Sequence, residues 1–394
     1  MKLFVIAGEP SGDALGAALM QGLAQLAPEP VEFLGIGGPQ MQAEGLQSLF
    51  PMEELSVMGL AEVLPRYFDL RRRIDQAAQA VLSSRAEALI TIDSPDFCLR
   101  VARKVRARNP GLRTIHYVAP SVWAWRAGRA AKMARVIDHV LAILPFEPPY
   151  MQAAGMSCDF VGHPVASQPV ADAGAAQAFR ARHAIAAQAP LLLALPGSRA
   201  GELARLGPVF GEVLQQMVAA QPDLRVVLPT VRGVADTARA LATRWPGAPV
   251  VLDPAESDAD EKRAAFAAAD LALAASGTVS LELAASGTPM VIAYDMNPLT
   301  RFIVARMLRV DTVTLVNLVS ETRAVPEFLG PRCRAELIVP ALRALMQDGP
   351  ERATQLDAMA RTMERLGRGG PPPGLRAAAS VLRVLGRKPA GVSH

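Results

Sequence analysis

Asp93 closes an otherwise apolar run, EALITIDSPDF, and a carboxylate at the end of a buried strand is placed to take a proton from a substrate hydroxyl. The alternative is structural: Asp93 or Asp96 caps the helix that follows. Arg199 ends a second apolar run, LLLALPGSRAGELAR at 191–205, where a strand, a turn and a helix start offer a guanidinium and backbone N–H groups to a phosphate. A matching unit, LFVIAGEPSGDALGAALMQGL, opens the chain at 3–23. Its turn carries Glu9, Ser11, Gly12 and Asp13, with Ser11 or Asp13 suited to cap the helix and Gly12 to admit a close backbone approach.

Two further groups belong with these. Ser276-Gly277-Thr278 presents hydroxyls and N–H groups at a helix start, either as a cap or as an anion site, and Glu282 follows one turn later, where a carboxylate can hold ribose hydroxyls. HYVAPSVWAWR at 116–126 places two of the three tryptophans, Trp123 and Trp125, beside Arg126; such aromatics line a sugar or lipid site, or pack a core.

The elements that must position these residues alternate. In the first half LFVIA, VEFLGIGG, EALITID, RTIHYVAP and HVLAILPF read as strands separated by helices, and PLLLALPG, LRVVLPT, PVVLD, LALAAS and PMVIAY repeat the scheme. This predicts an α/β chain with two doubly wound parallel sheets, since ligands of such sheets bind beyond the carboxyl ends of the strands. At 394 residues the chain exceeds the roughly 250–300 at which single cores stop growing. The expected domains are 1–165 and 188–366, with a last helix at 375–388 packing back on the first.

Composition excludes several classes. Arginine supplies 36 of 41 basic residues, favouring anionic partners, but 5% aromatics without a stacking pattern argue against nucleic acid. Cys98, Cys158 and Cys333 lack metal or disulfide spacing, which fits a cytoplasmic protein. His116, His139, His163 and His183 lack ligand spacing too, and Asp258-Ala259-Asp260 lies at an acidic helix start, so no metal is expected. The absence of GxGxxG, GxSxG and GxxxxGK[ST] counts against NAD oxidoreductases, serine hydrolases and P-loop enzymes. No run reaches the roughly 18 apolar residues of a membrane span. The segment 55–76, with Val57, Met58, Leu60, Val63, Leu64, Tyr67 and Phe68 beside Arg71, Arg72 and Arg73, reads either as interfacial or as a buried helix with a charged outer face.

With AGEPSGD, GIGGPQMQAEG, MEELSVMGLAEVL, IDSPDF, IHYVAPSVWAWR, LPFE, FVGHP, LPGSRAGE, ASGTVSLE, PMVIAY and VNLVSE in place, the chain resembles the lipid-A-disaccharide synthase family to about residue 365. The resemblance implies a GT-B fold of two Rossmann-like domains, 1–165 on the acceptor side and 188–366 binding the UDP-sugar, an inverting glycosyltransferase with no cofactor, a UDP-diacylglucosamine donor, an acylated glucosamine 1-phosphate acceptor and a peripheral position on the inner membrane. It implies Asp93 as base, Arg199 on the UDP diphosphate, Glu282 on the ribose and Asn317 near the nucleotide, with Glu9, Ser11, Gly12, Asp13, Trp123, Arg126, Glu202, Ser276, Gly277 and Thr278 as further substrate contacts. Where the family carries Leu-Pro-Asn, this chain has Leu315-Val316-Asn317. Other UDP-sugar enzymes, a 2-epimerase or a peptidoglycan glycosyltransferase, and a non-catalytic nucleotide-sugar binder are the competing readings.

Overall fold

A computed structural model describes residues 1–55, 60–123, 128–297, 301 and 310–389, with only the backbone for 60–67. The chain forms two compact units, Met1–Ser167 with Gly369–His394, and Gln168–Arg368.

In the first unit β1 (Lys2–Ala7), α1 (Pro10–Leu26), β2 (Glu32–Ile36), α2 (Pro39–Ala43), β3 (Gln47–Ser48), α3 (Leu60–Ser84), β4 (Ala88–Ile92), α4 (Pro95–Arg108), β5 (Arg113–Tyr117), α5 (Gly128–Met133), β6 (His139–Ala142), α6 (Pro148–Ala153) and β7 (Ser157–Phe160) follow in order. The strands form one parallel sheet, ordered β3-β2-β1-β4-β5-β6-β7. Both faces are covered, so β1 and β4 are nearly continuous apolar runs, and the buried polar side chains of β4 and β5 bond to one another, as Thr91 does to His116 at 2.8 Å. Ala88, Ile90 and Ile92 of β4 pack toward α1 with Leu19 and Leu23, while Leu89 packs toward α3 and α4 with Ile74, Ala78 and Val101.

The sheet order reverses between β1 and β4, which pair with Ala7 opposite Ile92. This is the switch point at which open α/β sheets leave a crevice. Gly8 and Asp93 are the next residue of each strand.

The second unit contains α7 (Ala173–Arg182), β8 (Leu191–Leu195), α8 (Ala200–Ala220), β9 (Arg225–Pro229), α9 (Ala235–Ala242), β10 (Val250–Leu252), α10 (Ala259–Ala268), β11 (Leu271–Ala274), α11 (Val279–Ser286), β12 (Met290–Tyr294), α12 (Leu315–Ser320), β13 (Glu327–Leu329), α13 (Ala335–Met346) and α14 (Pro350–Arg365). Its parallel sheet runs β10-β9-β8-β11-β12-β13, with the switch between β8 and β11, where Leu195 lies opposite Ala274. The turns carrying Arg199 and Ser276 leave from these two strands.

The last helix, α15 (Pro373–Val384), belongs to the first unit and lies on α1. Buried polar contacts fasten it: Ser380 Oγ is hydrogen-bonded to His139 Nε2 at 2.9 Å and donates to Asp159 at 2.6 Å, and Arg376 donates to the Phe160 carbonyl at 2.9 Å. The backbones of the two helices touch, since a Cβ at Gly22 would stand 2.6 Å from the Gly374 carbonyl oxygen. Gly22→Ala is therefore expected to destabilise the protein by about 1–3 kcal/mol, because the opposing atoms are backbone and cannot rotate away. Thermal denaturation and earlier proteolysis of the C-terminal tail would report it.

Candidate active site

Strain marks the first unit's switch point. Asp93 has φ +51°, Ser94 +42° and, at the end of neighbouring β5, Val118 +81°. Such left-handed backbone costs on the order of 1–3 kcal/mol per residue, most for a β-branched side chain, and persists where surrounding structure enforces it. Here the sheet does so: Asp93 N–H donates to the Tyr117 carbonyl and Val118 N–H to that of Leu141, both at 3.0 Å. The strand ladder thus holds each residue up to the point where the chain must turn sharply.

The alternative use of Asp93 or Asp96 as a helix cap is not found: α4 starts on Ser94 without a side-chain cap bond. The Asp93 carboxyl is half-buried, and this burial raises its pKa, with the Ser94 N–H acting in the opposite sense. A carboxylate of raised basicity at the mouth of the sheet is suited to accept a proton. Beside it, a Cβ at Gly8 would meet Ser94 Oγ at 2.6 Å and one at Gly12 the Ile92 carbonyl at 3.4 Å, so both glycines let the β1 turn close over the end of β4. Ser11 is exposed and Glu9 half-buried in the same turn.

Asp13 departs from expectation. It is 2% exposed and does not cap α1; its carboxylate accepts the N–H groups of Gly38, Gln40 and Met41 at 2.8, 3.0 and 3.0 Å, at the start of α2. With both oxygens engaged inside the fold, Asp13 braces the β2–α2 turn. Trp123 is half-buried, edge-on to Phe146 with ring centres 5.1 Å apart. Arg126 lies outside the described residues, as does Trp125.

At the second switch point the turn after β8 is organised by Glu202. Its Oε2 accepts the N–H groups of Ser198 at 3.0 Å and Arg199 at 3.3 Å, and Tyr294 Oη donates to Oε1 at 3.4 Å. A carboxylate in the first turn of a helix satisfies N–H groups that the helix leaves unpaired, and those same groups are no longer free for a phosphate. The free N–H groups expected at 198–199 are thus closed by the chain's own acid, and Glu202 shapes the turn rather than standing open to a ligand. Gly197, at φ +118°, makes room for it: a Cβ there would meet Oε2 at 2.3 Å. The Arg199 side chain is 71% exposed, with Nη1 3.6 Å from Glu202. It is the cationic side chain that this turn presents to solvent.

Ser276, Gly277 and Thr278 come one residue after the end of β11, beside that turn, and α11 begins after Thr278 with no side-chain cap. Gly277 and Thr278 are exposed and Ser276 half-buried. Glu282 is ion-paired to Lys262 at 2.5 Å.

Asn317, expected near a nucleotide, is 1% exposed; its amide donates to Thr312 Oγ1 and the Val325 carbonyl and accepts the Val325 N–H at 2.9 Å. Among residues 312–314 it bonds Thr312, while Glu327 accepts the Val313 and Thr314 N–H groups and the Val313 carbonyl accepts from Ser276 Oγ. Asp258 caps α10 through the Glu261 N–H at 2.8 Å, a structural use of the Asp-Ala-Asp sequence. Tyr294, the last residue of β12, Ser94, two residues beyond β4, and Glu147, at the start of α6, have structural partners that no motif in the sequence marks.

The family model for lipid-A-disaccharide synthetase matches residues 3–370. The chain belongs to this family. It is 63% identical over 389 residues to the lipid-A-disaccharide synthase of Ruegeria pomeroyi, covering 98% of this chain and 96% of that protein, and 48% identical over 388 residues to that of Rhodospirillum centenum, covering 98% and 96%. Among solved structures it is similar to the UDP-GlcNAc 2-epimerase of Neisseria meningitidis (TM-score 0.61, 10% identity, 98% and 99% covered). It is also similar to MurG of Acinetobacter baumannii (TM-score 0.55, 14% identity, 98% and 99% covered). These likenesses give the fold, GT-B. Within the family, the strained Asp93 turn and the Glu202-braced Arg199 turn occupy the sheet switch points of this chain's two units.

Proposed function

We propose that the protein transfers a 2,3-diacylglucosamine unit from UDP to the 6-hydroxyl of 2,3-diacylglucosamine 1-phosphate, giving the β-1,6-linked disaccharide 1-phosphate and UDP. The observation that carries this reading is the 63% identity, over nearly the whole of both chains, to a lipid-A-disaccharide synthase. Asp93 accepts the proton of the attacking hydroxyl as that oxygen displaces UDP at the anomeric carbon, and a single displacement inverts the centre. Arg199 and the N-terminal end of α11 oppose the charge growing on the leaving diphosphate, since fixed donors stabilise developing charge without reorganising.

Incubation with both acylated substrates, followed by separation of products, should yield UDP and disaccharide phosphate in equal amounts, with and without a chelator. Conversion of UDP-GlcNAc to its 2-epimer without acceptor would favour the epimerase reading instead.

Both substrates carry acyl chains, which supports work at a membrane surface. Among the described residues no helix is long and apolar enough to cross a membrane. Phe68, 78% exposed on α3, shares a helix face with the exposed Arg71 and Arg72 at i+3 and i+4, a pairing of apolar and cationic groups suited to anionic lipid. Val57 and Met58 of the same stretch lie outside the described residues, as do the side chains of Leu60, Val63, Leu64 and Tyr67. Arg71→Glu with Arg72→Glu should weaken partitioning to anionic vesicles at least tenfold, given about 1 kcal/mol per basic residue at such a surface. Unchanged co-flotation would assign this face to ordinary solvent exposure.

A further inference from the structure

One polar group at the second unit's switch point is used neither by the packing of the fold nor by the proposed transfer: the hydroxyl of Tyr294. Leu195, Ala274 and Ile292 stand in register across β8, β11 and β12, so Gly197 and Tyr294 each lie two residues beyond a common level, on the strands that flank β11. Strands two apart are roughly 10 Å from each other, twice the spacing of neighbours. The side chains of Tyr294 and Glu202 close that gap, and Tyr294 Oη donates to Glu202 Oε1 at 3.4 Å. The ring is half-buried against the apolar cluster that contains Leu203 and Leu206 of α8. A phenylalanine would pack there equally well, so the hydroxyl answers to Glu202 and not to the core.

The two oxygens of Glu202 have different partners. Oε2 is committed to the Ser198 and Arg199 N–H groups, whereas Oε1 stands between the Tyr294 hydroxyl at 3.4 Å and Arg199 Nη1 at 3.6 Å. Exposure decides which of these two can leave. The Arg199 side chain is 71% exposed and that of Glu202 16%, so water replaces the acid around a departing guanidinium but reaches the carboxylate poorly. An ion pair with a solvent-exposed partner is weak, while a mostly buried carboxylate oxygen left without a donor is costly. The phenol removes most of that penalty, because it stays in place when Arg199 turns away.

We propose that Tyr294 is a positioning residue for the nucleotide side of the reaction: its hydroxyl holds Oε1 of Glu202, so that the Arg199 guanidinium can leave the acid for a diphosphate. The proposal rests on the reading of Arg199 as the diphosphate's contact. Tyr294 acts through Glu202, by setting how readily the acid gives up the arginine. Without the hydroxyl, Oε1 depends on Arg199 alone and holds it more tightly. Burial raises the Tyr294 pKa, as does the Glu202 charge, with the Arg199 and Arg205 guanidinium groups acting in the opposite sense, and the phenol therefore keeps its proton and remains a donor at neutral pH. Arg199 must part from Glu202 when the donor binds, before any bond breaks, so the effect belongs to donor binding and leaves the chemical step unchanged.

Turnover assays and calorimetric titration with UDP test this. Tyr294→Phe should raise the donor KM and the UDP Kd about 5-fold each, with kcat within about twofold and the acceptor KM unchanged, as for loss of one hydrogen bond to a charged group. In an Arg199→Ala or a Glu202→Gln background the same substitution should change UDP affinity less than about twofold, since no ion pair is left to part. Should Tyr294→Phe lower the Tm, Glu202→Gln alone reads the same competition: with the charge that holds Arg199 removed, UDP should bind as tightly as to the wild type or more so, and weaker binding would overturn the proposal. An equal loss in all three backgrounds, or a loss shared by the acceptor KM, would also overturn it. Weakened UDP binding by Arg199→Ala beside an unchanged Tyr294→Phe would remove Tyr294 alone, whereas wild-type UDP binding by Arg199→Ala would remove the reading of Arg199 and this role with it.

Discussion

Asp93→Asn is expected to lower kcat about 10³-fold, within the range of about 10²–10⁴ that a positioned general base contributes, with both substrate KM values little changed. The substitution is a clean one. Asparagine tolerates the left-handed backbone that Asp93 adopts at φ +51° nearly as well as aspartate does, so the turn after β4 keeps its shape. What is lost is the ability to hold the proton of the 6-hydroxyl.

The pH profile should carry the same signature. Burial raises the Asp93 pKa, and the reacting form is the ionised one, so kcat/KM should fall as pH drops through a value above the ordinary carboxylate range. That acid limb should be missing from the residual activity of Asp93→Asn. Stability moves in the opposite sense: a carboxyl with raised folded-state pKa favours the fold at low pH, and that contribution is lost as pH rises through the folded pKa. Asp93→Asn should therefore be at least as stable as the wild type at neutral pH. Near-wild-type turnover would remove Asp93 from the chemistry.

The positions of Asp93 and Arg199 beyond the ends of β4 and β8 were legible in the sequence because each is a polar residue that follows a buried apolar run. Alternation of strands and helices likewise shows the two sheets. Their strand order then sets the Gly8 turn beside Asp93 and the Arg199 turn beside Ser276, a juxtaposition that rests on pairings between strands some 80 residues apart.

The residues that read differently in three dimensions share one property: their partners are remote or belong to the backbone. Asp13 is bound by amides of residues 38–41, which no spacing rule connects to it. Asn317 is engaged by Thr312 and Val325. Glu202 shows a subtler ambiguity, since the N–H groups of a strand-turn-helix accept any anion, and a carboxylate three residues on reaches them before a substrate can. Glu147 lies five residues beyond β6, and its burial and its bonds to the Ile143 and Leu144 N–H groups are visible only in the folded chain.

That competition determines what Arg199 must do alone. With the Ser198 and Arg199 N–H groups bonded to Glu202, the hold on a diphosphate proposed for this turn rests on the exposed guanidinium. Arg199→Ala is accordingly expected to cut kcat/KM for the UDP-sugar about 10²–10³-fold, comparable to removing one preorganised donor from a charge-stabilising site. Much of the loss should fall on kcat, because charge builds on the diphosphate only as the glycosidic bond breaks. Arg199→Lys keeps the charge but not the forked pair of donors, so it should recover only part of the activity. Ser276→Ala should cost less than Arg199→Ala, since the start of α11 still supplies N–H groups and its dipole.

Glu202→Gln separates the two roles of the acid. Its amide oxygen can still accept the loop N–H groups while the ion pair to Arg199 is gone, so near-normal donor affinity would show that Glu202 works by shaping the turn. Calorimetric titration with UDP would give the ground-state part of each effect, and an Arg199→Ala protein that binds UDP and turns over as the wild type does would relocate the leaving-group site altogether.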